Sequence, residues 1–89
     1  MVETMEKIMM QGSMKEFIEY LVKQIVDKPQ QVRIKEIIGH STVILELHVG
    51  DGDIGKVIGK HGQTAQSLRS LLGAASAKMG KRSVLEILE

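Results

Sequence analysis

Residues 54–62 read Ile54-Gly55-Lys56-Val57-Ile58-Gly59-Lys60-His61-Gly62, and this stretch decides the fold. An apolar turn leads into a four-residue loop, Gly59-Lys60-His61-Gly62, and a long helix-like segment starts at once behind it. Two glycines three apart let the chain come close to a ligand, because no Cβ stands in the way. The helix opening there aims its unpaired N–H groups and positive dipole end at the same spot, which favours phosphate. Lys60 adds a formal charge at the loop tip. The loop reads as a clamp for a nucleic-acid backbone.

Other glycine-rich signatures do not fit these residues. A Walker A loop places four residues between its glycines and follows its Lys with Ser or Thr. Gly55 and Gly59 enclose three, and Lys60 precedes His61. The glycines at 55, 59 and 62 also miss the spacing of a dinucleotide fingerprint. Asp51-Gly52-Asp53 begins like a calcium loop, but its fifth position is Gly55 and no Glu closes it.

Net charge is only +1 across 89 residues, yet it is unevenly distributed. Residues 54–85 carry Lys56, Lys60, Arg69, Lys78, Lys81 and Arg82 and no acidic residue, giving that segment +6. A small protein with one basic face steers polyanions to it without a high isoelectric point. With 43% hydrophobic and 26% charged residues the chain has the composition of an ordinary folded domain, and its length allows one. No apolar run approaches the roughly 20 residues of a membrane span, and no signal-peptide pattern is visible. The absence of cysteine excludes disulfides and thiolate metal sites and fits a reducing cytoplasm.

Working outward, Met14, Phe17, Ile18, Leu21, Val22 and Ile25 recur at helical spacing, with Ser13 and Glu16 as a capping box and Lys28-Pro29 as the stop. Residues 1–13 read as a flexible extension or a non-native start, and residues 14–89 as one domain. Val32 to Ile38 predicts a strand, and Gly39-His40-Ser41 turns it into a second over Thr42 to Val49. There Val43, Leu45, Leu47 and Val49 share one side. Asp53 is placed to cap a short helix through Ile58. Behind the clamp, Ala65, Leu68, Leu72, Ala75 and Met79 form a helical stripe closed by Gly80, and Ser83 to Leu88 make a last strand. The short turn predicts an antiparallel hairpin, and the helical crossover allows the last strand to run parallel to the second.

The motif I-G-K-V-I-G-K-H-G resembles the signature of KH domains, whose G-x-x-G loop holds the backbone of about four nucleotides. The likeness extends over residues 14–87, through M-K-E-F-I-E-Y-L-V-K, V-I-L-E-L-H-V and G-K-R-S-V-L-E-I, to the small bacterial single-KH proteins of the KhpA (YlqC) type. It implies an α+β, type II KH fold in the order α-β-β-α-α-β, with a three-stranded mixed sheet and helices packed on one face. It further implies a cytoplasmic RNA chaperone or post-transcriptional regulator, acting as a homodimer or with a KhpB (Jag/EloR)-like RNA-binding partner. Roles in cell length and peptidoglycan homeostasis come with the family.

On that picture single-stranded RNA lies between the two helices flanking the clamp and the edge of the sheet. Gly59 and Gly62 admit the sugar-phosphate, Lys60 and His61 contact phosphates, and the N–H groups of Gln63 and Thr64 add hydrogen bonds. Lys56 and Arg69 flank the path. Ile54, Val57 and Ile58 offer an apolar floor for bases, although Ile54 and Ile58 read equally well as core, since a short amphipathic helix must bury one face. The only aromatic residues are Phe17 and Tyr20, on the first helix, so folds that stack bases on aromatic platforms do not fit. Without stacking, one groove binds weakly, and a second linked site is expected to supply affinity. The run Gly73-Ala74-Ala75-Ser76-Ala77 can be read as a close-approach surface or as packing on the protein's own sheet.

Two other classes compete. A KH fold serving only as a protein-interaction or dimerisation module would show no salt-dependent RNA binding. For an enzyme, His40, His48 and His61 lie on a turn, a strand and the clamp, with no carboxylate-histidine or nucleophile-base spacing. Neither a catalytic group, nor a cofactor, nor a metal site is expected.

Overall fold

The computed structural model describes residues 14–88, so the expected capping box at Ser13 and the proposed extension lie outside the described residues. The first helix, α1, spans Met14–Ile25 and turns Met14, Phe17, Ile18 and Val22 inward, as its helical spacing requires. It ends before the expected stop, and Pro29 instead opens a short 3-10 turn, Pro29–Gln31. Strand β1 (Arg33–Ile38) and strand β2 (Thr42–His48) follow as an antiparallel hairpin in the register Ile34↔Leu47, Glu36↔Leu45, Ile38↔Val43. Helix α2 (Ile54–Ile58), the clamp turn (Lys60–Gly62) and helix α3 (Gln63–Lys78) then carry the chain across to strand β3 (Arg82–Leu88).

Strand β3 pairs parallel with β2, Val43↔Ser83 through Leu47↔Ile87, so the sheet order is β1-β2-β3 with β2 central. The hairpin, the parallel last strand and the α-β-β-α-α-β order are those expected. Because successive strand residues alternate sides, Ile34, Val43, Leu45, Leu47 and Leu85 face the helices. They join Phe17, Ile18 and Val22 of α1, Val57 of α2 and Leu68 and Leu72 of α3 in one core. Burying each of these large side chains contributes about 1.5–3 kcal/mol. The helices therefore cover one face, and Ile37 and Val84 are left exposed on the other.

The stripe on α3 differs from the expected one. Ala65, Leu68 and Leu72 are buried as predicted, but the fourth position is Ser76, 1% exposed, while Ala75 is half-buried and Met79 is exposed. The run 65, 68, 72, 76 keeps to the helical period, and Ser76 is admitted to the interior because its hydroxyl is hydrogen-bonded to the Gly73 carbonyl (3.1 Å), which can only accept, and to the Ser83 hydroxyl (2.9 Å). This pair ties α3 to β3. At the end of α3, Gly80 takes φ +71, while its N–H bonds the Ala77 carbonyl and that of Lys81 the Ser76 carbonyl. This is the Schellman arrangement that ends many helices.

Candidate nucleic-acid interface

Helix α2 is the platform on which the clamp stands. Val57 is completely buried and anchors it to the core. The expectation that Val57 helps floor the RNA path is therefore corrected: a five-residue helix needs one residue for docking, and Val57 is that residue. Ile54 is half-buried and Ile58 is 41% exposed, so these two remain at the surface beside the clamp.

Asp53 precedes α2 by position, but its side chain makes no cap bond to that helix. The carboxylate is 2% exposed and instead accepts the N–H groups of Asp27 (3.2 Å) and Lys28 (3.0 Å), in the segment that follows α1. The expected local cap is thus replaced by a long-range one. A buried carboxylate needs such donors, and here they pin the start of α2 to the far end of α1.

The clamp turn is built from left-handed backbone. The Gly59 N–H closes α2 on the Gly55 carbonyl (2.8 Å), and Gly59 then takes φ +76, ψ 174, a region reached essentially by glycine alone. A Cβ there would also run into the side chain of Thr64. His61 follows at φ +55, the only non-glycine residue with positive φ among those described, and Gly62 at φ +74. A Cβ on Gly62 would meet nothing within 4 Å, so the surface beside it is open. Lys60 and His61 are both exposed, and the two glycines are half-buried.

The remaining expected site residues fall around this turn with different engagements. Gln63 opens α3 with an exposed side chain, but its N–H already bonds the Lys60 carbonyl. That donor is therefore taken, contrary to expectation, because the clamp turn closes on itself as a 3-10 turn. Thr64 is half-buried against Gly59. The Lys56 ammonium pairs with the Asp27 carboxylate at 3.1 Å. The Arg69 Nε–H donates to the Leu85 carbonyl at 3.3 Å, which lays the guanidinium along the β3 edge.

Two shallow clefts lie along β3. One, of about 220 Å³, is lined by Arg69, Leu72, Ser83, Val84 and Leu85. The other, of about 120 Å³, lies between Ile54, the 49–52 turn and Leu88. The sequence does not single out the β3 residues as part of the site, and it offers Asp53 only as a local cap. Ser83 and Val84 carry no chemical signal of their own, and their place beside Arg69 follows only from the parallel pairing of β3. Among the described residues no group of His, Asp or Glu side chains is arranged to hold a metal ion. No described helix is long and apolar enough to cross a membrane.

Comparison with known proteins places this geometry in context. A family model described as KhpA/KhpB, KH domain matches residues 15–87. The chain is similar to the RNA-binding protein KhpA of Chlamydia trachomatis serovar D, with 49% identity over 76 residues, 85% of this chain and 97% of the relative. It is similar to the protein of the same name from Aquifex aeolicus, at 48% over 78 residues, 88% and 99% of the two chains. For that of Clostridium perfringens the identity is 45% over 75 residues, 84% of this chain and 100% of the relative. No solved structure matches.

Proposed function

The chain belongs to the KhpA/KhpB KH-domain family, and from that premise we propose that it binds single-stranded RNA, about four nucleotides to a groove. The observation that carries this reading is the exposed Lys60-His61 tip between two glycines of positive φ, at the mouth of α3. The backbone phosphates lie against Gly59 and Gly62. Lys60, Lys56 and Arg69 supply charge, His61 contacts a phosphate beside Lys60, and Ile54 and Ile58 meet the bases. Thr64 and the exposed Gln63 side chain border the entrance. The strand runs on between α2, α3 and the β3 edge, where the two clefts lie.

Binding rather than catalysis is the activity. The +6 charge of residues 54–85 gives long-range attraction, whereas base stacking, worth about 1–3 kcal/mol per base where aromatics supply it, is missing from this surface. One groove is accordingly weak and poorly selective, which suits an RNA chaperone or post-transcriptional regulator in the cytoplasm. Two linked grooves overcome the weakness. The exposed face of α3 supports a homodimer: Gln63, Gln66, Ser67, Ser70 and Leu71 form an uncharged surface, and Gly73 has room for a closer neighbour. The same face suits a KhpB (Jag/EloR)-like partner, through which effects on cell length and peptidoglycan homeostasis would arise.

The test is the double substitution Lys60→Asp, His61→Asp. Both side chains are exposed, so the fold survives, and two anionic groups then confront the phosphates. Affinity for single-stranded RNA should fall at least tenfold, and the wild type should weaken with salt at a slope of about 0.7 per phosphate contacted. Undiminished RNA binding by the folded variant removes the clamp from the site. A wild type that binds no RNA at all leaves a protein-interaction module.

A further inference from the structure

Helix α2 and the segment 27–31 are fastened together by several independent contacts. Besides the two N–H groups held by Asp53, the Lys28 Nζ donates to the Asp51 carbonyl at 2.9 Å. Gly50 is buried so tightly here that a Cβ would sit 3.0 Å from Lys28 Cδ. The backbone of Asp27 is thereby fixed, and its carboxylate, on a side chain 72% exposed, stands 3.1 Å from the Lys56 ammonium. Lys56 lies on α2, the element that delivers the clamp, four residues before Lys60 in the chain. A cation next to the phosphate path is thus already neutralised by an anion of the protein itself.

We propose that Asp27 is an internal competitor for the RNA backbone: its carboxylate holds Lys56 in the free protein, and a phosphate must displace it before Lys56 can contribute. The proposal rests on the RNA-binding reading above and adds a residue that opposes binding. An exposed pair of this kind is weak, so phosphate can replace the carboxylate. Because the Asp27 backbone is held by a buried group, the carboxylate stays close and competes at every encounter. Asp27 therefore sets affinity downward and favours strands long enough to offer a phosphate at Lys56 as well as at the clamp.

A mutant cycle decides the matter, with fluorescein-labelled oligouridine as the probe and binding followed by anisotropy at low salt. Asp27→Asn is expected to tighten binding by about two- to five-fold, the range set by an exposed ion pair. In a Lys56→Gln background the same change is expected to do nothing, since the competitor has lost its target. Equal tightening with and without Lys56 would mean that Asp27 merely repels the strand, which overturns the proposal, as does no tightening in either. Circular dichroism and unfolding midpoints establish that each variant is folded; both side chains are exposed enough for that. Loss of binding in the Lys60→Asp, His61→Asp variant with no coupling between 27 and 56 leaves the RNA reading standing and this proposal fallen. A wild type that does not bind removes both.

Discussion

At the scale of single residues, the two clamp glycines are required for different reasons. Gly62 has a left-handed backbone and open space around it, so alanine there is strained without a collision. Gly59 combines a glycine-only backbone region with the Thr64 side chain lying where a Cβ would go. Gly62→Ala should cost about 1–2 kcal/mol, the penalty of the left-handed region for an L-residue. Gly59→Ala should cost more, roughly 3 kcal/mol or above, with strain and clash together. Urea unfolding of the two variants ranks them; equal losses would contradict the geometry. His61 accepts a similar conformational strain at φ +55, and such strain tends to collect where a loop is shaped for a ligand.

At the scale of elements, α2 is held by what is buried beneath and before it. Removing the Asp53 carboxylate leaves the Asp27 and Lys28 N–H groups without their partner. Asp53→Ala is accordingly expected to destabilise by about 2–3 kcal/mol, seen as a lower urea midpoint with an unchanged slope. An unaltered midpoint would mean that water replaces the carboxylate without loss. The elements themselves were legible in the sequence: the inward rows of α1 and β2, the hairpin and the glycine-bounded α3 all follow from local periodicity and turn chemistry. What escaped it was non-local. The Asp53 bonds span 25 and 26 residues, so an aspartate before a short helix reads as an ordinary cap. Choosing Val57 over Ile58 as the docking residue needs the core it docks into. Ser76 looked like one member of a small-residue run until Ser83 was seen to meet its hydroxyl.

At the scale of the molecule, a three-stranded sheet covered on one face leaves the clamp, the β3 edge and the outer face of α3 accessible together. If α3 joins two copies, Leu71, 44% exposed and the one large apolar side chain of the uncharged face, is the residue to charge. Leu71→Glu should keep the fold, convert a dimer to a monomer in sedimentation, and weaken binding to long RNA by tenfold or more while affecting short RNA little. A wild type that sediments as a monomer at all attainable concentrations would exclude this assembly. The parallel pairing of β3 with β2 has a further, temporal consequence. The last strand closes the core through Leu85, and the non-local contacts it makes cannot form until residues 82–88 are available to pair with β2. The furrow beside the loop thus acquires its second wall only when β3 has docked, so a truncated polypeptide lacking that strand would present the loop without a trough behind it.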